Sequence, residues 1–307
     1  MLRVLFGSFC CFFLIFRSEA ALDIDNYTPA TNDRFANSPS FFADSYDLSG
    51  IGRDDDMPLT GFSGGHWVTM ISPNVFLTAR HFAPALNHEL TFYPNNDPNG
   101  GAVVRTLAGL QVVNGFTDLV VGHLSTPLPS TIKTYGFATT PLSEATFSGS
   151  AYSDAHALLT GVSPTTTGYG SSVLTNSAHG ENRIESFSDG FTLGGSTGDV
   201  ILTVKNQPGD AIFGYTYENY EADVNPGDSG GPIFRTLPNN ELEIAGIAWA
   251  SGTGDIAPGI SRDVSIYTYT GNYATQIQNY IDAHPVPEPS SSLLLTIATM
   301  FFLRRAR

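Results

Sequence analysis

From about residue 49 to residue 281 the chain is a succession of short runs rich in β-branched and aromatic residues. They read "HWVTMI", "NVFLTA", "VVRTLAGLQVV", "DLVVGHL", "DVILTVK", "AIFGYTY", "PIFRT", "LEIAGIAW" and "RDVSIYTYT". Clusters of Gly, Pro, Asn and Ser separate them. Runs of this length and composition suit strands, and such clusters suit turns. The pattern therefore predicts an all-β chain built as a sandwich or as barrels. A single helix is expected late, over residues 273–283 ("YATQIQNYIDA"), where Ile277, Tyr280 and Ile281 fall on one face. No internal repeat is visible. Residues 127–142, "PLPSTIKTYGFATTPL", carry prolines and no periodic pattern, and read as a linker between two halves.

What holds such a chain together is constrained by its cysteines. Cys10 and Cys11 are the two it has, and both lie in an apolar stretch preceded by Arg3 and followed by Ser18-Glu19-Ala20. A positive end, an apolar run and a small-x-small site form a secretory signal, expected over residues 1–20. The exported part then has neither disulfides nor cysteine–zinc sites and depends on its core. A length of 307 residues is ample for one. Residues 21–48, polar with scattered aromatics, read as an exposed arm or pro-segment. The formal charge is −15, and arginines concentrate at the two ends, so the middle is more acidic still. Such a surface excludes nucleic-acid binding and favours solubility and cationic partners. The acidic "RDDD" at residues 53–56 reads as a solvated loop rather than a calcium site.

The stretch "NPGDSGGPIF", residues 225–234, sets one serine among glycines. A serine hydroxyl is a weak nucleophile until a base takes its proton, and the base needs an orienting partner. Of the seven histidines, His81 alone ends a strand-like run, "ISPNVFLTARHF". A strand end can hold an imidazole rigidly while leaving one nitrogen open. Asp118 opens the apolar "DLVVGHL". A carboxylate there is expensive to bury without a partner, and an imidazole N–H would supply one. His66, His88, His123, His156, His179 and His284 read as surface or structural residues. No spacing of His, Asp and Glu reads as a metal site, and no cofactor is expected.

In the order His81, Asp118, Ser229 these segments resemble the chymotrypsin/trypsin-like serine protease family. "LTARH" is similar to its Leu-Thr-Ala-Ala-His, "TDLVVGHL" to its aspartate strand, and "GDSGGP" matches its nucleophile motif. "TGYG" at residues 167–170 and "GIAWA" at residues 246–250 are weaker echoes. The resemblance implies two six-stranded antiparallel β-barrels, the first over residues 49–140 and the second, with the short C-terminal helix, over residues 141–284. The site would lie in the cleft between them. His81, Asp118 and Ser229 would be catalytic, and the N–H groups of Gly227 and Ser229 would form the oxyanion hole. Asp223, six residues before Ser229, matches the aspartate at the base of the trypsin-like primary pocket. Ala248, Trp249, Ala250 and Gly259 would line that pocket, and substrates with Arg or Lys would be favoured. Three departures stand out. Arg80 replaces a small residue, Ala248 lacks a serine hydroxyl, and His66 and Phe82 occupy the places of a disulfide. In the family Asp228 pairs with a freshly cut N-terminus. Here Ile51 in "SGIGRD" is the nearest candidate, the alternative being an Asp228 satisfied internally.

At the other end, residues 285–307 hold Pro287-Glu288-Pro289, an apolar run over residues 293–303 and a closing arginine cluster. The apolar run is shorter than the ~20 residues of a comfortable membrane span. This order resembles the PEP-CTERM sorting signal of Gram-negative bacteria, processed by exosortases. The resemblances together imply an exported serine endopeptidase, sorted to the cell surface or extracellular matrix or secreted, and transiently membrane-anchored by its C-terminal tail. Its partners would be protein or peptide substrates and the export and sorting machinery. The alternative is a catalytically silent protein of the same fold, acting as a surface binding module.

Overall fold

The computed structural model describes residues 21–54, 67–165 and 175–286. The signal over residues 1–20, His66, "TGYG" and the Pro-Glu-Pro tail lie outside the described residues. After β1 (Asp23–Ile24) and a one-turn helix α1 (Pro29–Asn32), the chain forms β2 (Ile51–Asp54), β3 (Trp67–Met70), β4 (Val75–Ala79), β5 (Glu89–Phe92), β6 (Val103–Val112) and β7 (Leu119–Leu124). These last six strands close an antiparallel barrel in the order β2-β3-β4-β7-β6-β5. Its interior is filled by Val68, Met70, Phe76, Leu90, Phe92 and Leu107, all out of contact with water. Gly52 faces the Phe92 ring so closely that a Cβ there would meet it at 2.4 Å, which is why this wall takes no side chain.

The second half comprises β8 (Gly136–Phe137), α2 (Glu144–Phe147), β9 (Ala155–Gly161), β10 (Ala178–Ile184), β11 (Ser186–Leu193), β12 (Ser196–Val204), β13 (Ala222–Asp223), β14 (Pro232–Leu237), β15 (Glu241–Ala257) and β16 (Ile260–Tyr269). One sheet runs β10-β9-β14-β15-β16-β12-β11, with β8 joining β15 in parallel. Among the described residues no ladder joins β10 to β11, so the expected second six-stranded barrel is not closed by strand pairing. Its edges are protected in other ways. Ala178 on β10 bridges Asp33, Glu181 bridges Glu221, and the Arg34 N–H donates to Ser177 O. At the other edge β11 is polar and carries a bulge between Ser188 and Phe191. Covered, bulged and polar edges are what an open sheet needs to avoid pairing with another copy.

The segment ahead of the barrel is not the exposed arm that its polar composition suggests. Leu22, Phe35, Phe41, Ala43 and Leu48 are buried. β1 pairs with β13, Asp23 opposite Asp223. The buried Arg34 guanidinium donates to Tyr93 O at 2.9 Å and to Asn95 O at 3.3 Å, on the barrel side. The scattered aromatics are individual anchors that tie this segment to both halves. The linker over residues 127–142 is likewise packed. Leu128, Ile132, Tyr135 and Ala138 are buried, and the Tyr135 hydroxyl donates to Asp47 O at 2.9 Å. The late helix is α3 (Ala274–Ala283), one residue from expectation. Ile277 and Tyr280 bury against a core containing Trp67, Leu77 and Leu119 from the barrel and Leu158, Phe234 and Ile247 from the sheet. This shared core joins the two halves.

Candidate active site

Each of the three residues singled out by motif sits where its strand ends. His81 follows β4 in a single 3-10 turn, Arg80–Phe82. Asp118 immediately precedes β7, the strand that pairs with β4, Ala79 opposite Leu119. This pairing brings the two side chains to one barrel rim. His81 Nδ1 lies 2.6 Å from Asp118 Oδ2, and the His81 backbone N–H donates to Asp118 Oδ1 at 3.1 Å. Asp118 is 2% exposed, while the His81 side chain is 41% exposed. His81 Nε2 lies 2.8 Å from Ser229 Oγ. The three residues thus form one hydrogen-bonded chain across the junction of the two halves. Arg80 takes its place without disturbing this, its N–H donating to Asp118 O at 2.7 Å.

Ser229 lies in a tight turn ahead of β14. The Asp228 N–H donates to Asn225 O, and the Gly231 N–H to Asp228 O. Gly227 has φ 107° and Gly230 φ 86°, a region that strains residues bearing a Cβ. A Cβ on Gly230 would also lie 2.9 Å from Thr78 Oγ1 and 3.0 Å from Trp67 O, so glycine lets the barrel wall close onto the turn. Among the described residues, the N–H groups of Gly227 and Ser229 are given to no protein acceptor. Two donors left open in the turn that carries a serine suit an oxygen that gains negative charge. Ala248, without the hydroxyl that the resemblance implies, contributes backbone instead. Its carbonyl accepts from the Gly230 N–H at 3.0 Å and its N–H donates to Gly231 O at 2.8 Å.

Asp223 is buried at 3% exposure, and burial pushes its carboxyl up to about 8. Ser265 on β16 donates to its Oδ1 through a short hydrogen bond and accepts from the Val224 N–H at 2.9 Å. Ser265 was not evident from motif spacing. Its signal lies in the ladder, where Ser251 pairs with Ser265 and Ala250 with Ile266. The same ladder corrects the reading of Gly259. That residue is exposed at the tip of the β15–β16 hairpin, just beyond the Ala257–Ile260 pair, and does not line the region around Asp223. The hairpin is longer than the spacing implied, because β15 runs on to Ala257. Trp249 sits in a bulge between Ala248 and Ala250 and packs edge-on against Phe191 at 5.1 Å.

Three other groups bear on the sequence reading. Ile51 is 3% exposed and paired with Thr69 as the first residue of β2, so a new N-terminus cut there would have to leave the barrel ladder to reach Asp228. Arg53 and Asp54, the start of "RDDD", are buried in the same strand rather than solvated, while Asp55 and Asp56 lie outside the described residues. His156, Glu181 and Glu218 bring ligand atoms within 4.8 Å of one another, a grouping that no spacing rule exposes. The Arg183 guanidinium is the cation there, 2.6 Å from Glu218 Oε1.

Comparison with models of known protein families and with curated proteins gave no match. The mostly-β architecture, with one closed six-stranded antiparallel barrel and a short C-terminal helix, is compatible with a chymotrypsin-like fold.

Proposed function

We propose that the protein is a serine endopeptidase. The observation that carries this reading is the Asp118–His81–Ser229 hydrogen-bond chain, at 2.6 and 2.8 Å, beside two N–H groups left open. In the reaction, Ser229 Oγ bonds to the scissile carbonyl carbon as His81 Nε2 takes its proton. Asp118 holds the imidazole tautomer and balances the imidazolium. The carbonyl oxygen becomes an oxyanion held by the Gly227 and Ser229 N–H groups. Collapse breaks the C–N bond, and the amine leaves with the proton from His81. Water, deprotonated by the same imidazole, then releases the acyl group as the acid and frees Ser229.

In this reading the sheet of the second half is the counterpart of the family's second barrel. The primary pocket would open beside Ala248, Trp249 and Ala250 on β15, with Asp223 at its base. A cationic Arg or Lys side chain would favour the ionised form of that carboxyl. The leader and tail motifs, outside the described residues, support export and exosortase-type sorting to the cell surface.

The test uses peptide amides with Arg, Lys, Phe, Leu or Ala before the scissile bond, offered to residues 21–285 as wild type and Ser229→Ala. The expected outcome is cleavage after Arg or Lys and a fall in kcat on the order of 10⁶-fold in the variant. Cleavage after an apolar residue would keep the peptidase and discard Asp223 as the selector. A folded wild type that cleaves none of these amides and takes no label from a fluorophosphonate would favour the silent binding module.

A further inference from the structure

The edge strand β10 and the segment ahead of β13 hold a group of side chains that the reaction above does not use. His156 on β9 pairs across the ladder with Arg183 on β10, which sets His156, Arg183 and Glu181 on one face of the sheet. Glu218 comes from the segment over residues 214–221, tied to β10 by the Glu181 N–H, which donates to Tyr220 O at 2.7 Å. His156, Glu181 and Glu218 each offer one ligand atom, and the three atoms lie within 4.8 Å of one another. All three side chains are partly exposed, so an ion can enter and a water can complete its shell.

Three observations point to a metal ion rather than a plain ion pair. The first is the tautomer of His156. The Thr236 hydroxyl on β14 donates to His156 O at 3.4 Å, and its oxygen lies 3.1 Å from His156 Nδ1, so it accepts the Nδ1 proton. Such a backing bond on one ring nitrogen orients the imidazole and leaves the lone pair of Nε2 to ligate. In the neutral ring that lone pair faces Glu181 Oε1, acceptor against acceptor. The second is spacing. The other His–carboxylate pairs of the described residues, His81–Asp118 and His88–Asp54, close to 2.6 and 2.8 Å, whereas His156 Nε2 and Glu181 Oε1 stand 3.3 Å apart. That separation is the edge of a tetrahedron around an ion bound at about 2.0–2.1 Å. The third is charge. Asp154, Glu181 and Glu218 gather round one cation, Arg183, which lies 2.6 Å from Glu218 Oε1 and 3.6 Å from Asp154 Oδ1. Among the described residues Arg183 makes no hydrogen bond to Glu181 or His156. It orients Glu218 and leaves negative charge unbalanced.

We propose that His156, Glu181 and Glu218 bind one zinc ion, with water in the fourth position. An imidazole nitrogen beside two carboxylates suits zinc, while the hard cations calcium and magnesium take oxygen ligands. The ion staples the segment over residues 214–221 to β10 at the open edge of the sheet. The chain has no cysteine beyond Cys11, so no disulfide can tie this segment. Metal binding to a folded site adds its free energy to folding and does the same work. The proposal does not depend on the peptidase reading.

The test titrates the full chain, freed of metal by chelation, with zinc chloride in a calorimeter. It compares wild type with His156→Gln, Thr236→Val and His88→Gln. Wild type should take one zinc per chain. Thr236→Val, which keeps every ligand, should bind roughly 10- to 10²-fold more weakly, and His156→Gln, which removes one, more weakly still. His88→Gln changes a histidine paired with Asp54 on the barrel and should bind as wild type does. Zinc should also slow hydrogen exchange at the Glu181 amide in wild type and leave it unaltered in His156→Gln. Equal zinc affinity in wild type and His156→Gln would overturn the proposal, as would a wild type that takes up no zinc. An equal loss in His88→Gln would mark adventitious binding at surface histidines and overturn it too. Displacement of zinc by equimolar calcium or magnesium would refute the assignment of the ion. If His156→Gln does not fold, Glu218→Gln is read in its place by the same criteria.

Discussion

Asp118 is the residue whose chemical role depends most on what surrounds it. Two contacts with His81, one to the ring and one to the backbone N–H, leave the imidazole a single orientation. In the peptidase reading, Asp118→Asn keeps this shape but no longer balances the imidazolium, and its side-chain N–H₂ favours the wrong imidazole tautomer. The expected outcome is a fall in kcat of about 10⁴-fold with a near-normal fold, checked by steady-state kinetics beside circular dichroism. The motif around Asp118 pointed to it because an ionisable residue at the head of an apolar strand must have a partner. Nothing comparable marked Ser265. A serine in "RDVSIYTYT" looks like any strand serine until the β15–β16 ladder sets it against Asp223. Arg53 was likewise read as part of a solvated acidic loop, because its neighbours in sequence are charged. The residues it touches, Trp67 and Asn176, are distant in sequence.

At the scale of elements, α3 and the two β4–β7 strand ends do the joining. α3 was legible because its apolar positions repeat at helical spacing. Its destination was not, since an amphipathic helix records that it packs and not against what. It lies on the core shared by both halves through Ile277, which is fully buried. Ile277→Ala should lower unfolding stability by about 2–4 kcal/mol, read as a lower denaturant midpoint. Loss of that packing would loosen the junction across which His81 reaches Ser229. A midpoint within error of wild type would show that α3 is dispensable to the junction. Strand pairing between β4 and β7 is short-range by comparison. It places His81 against Asp118 within the barrel itself, without help from the second half.

For the whole molecule, several buried carboxyls make stability depend on pH. Burial pushes Glu185, Glu221 and Asp223 up to about 8, and Asp228 to about 7. Glu185 and Glu221 share one partner, the Asn206 side-chain N–H₂, at 2.6 and 3.3 Å. Between their ordinary values near 4 and these raised ones, the folded chain holds protons that the unfolded chain has released. Stability therefore falls as pH rises through that window. The buried His179, drawn from 6.5 down to about 3, acts in the opposite sense but only below about 6.5. From pH 6.5 to 8 the carboxyls act alone, and the melting temperature should drop. Glu185→Gln/Glu221→Gln should flatten that drop, as thermal unfolding at the two pH values would reveal. A melting temperature that rises from pH 6.5 to 8 in wild type would contradict this account.

Strand propensity, turn residues and two local motifs were enough to establish a mostly-β chain, its late helix and a serine with a candidate base and orienter. These are local properties, encoded within a few residues. Closure is different, because it depends on which edges meet. Strands β2 to β7 close into a barrel, while the pairing of the second sheet stops at β10 and β11. The polar segment ahead of the barrel, read as exposed, became a packed strap because each aromatic found a seat on a surface made by distant strands. The same holds for charge. Whether Arg53 meets water or Asn176 O is decided by the packing of the two halves, since a buried ion is tolerated only where another part of the chain brings its partner.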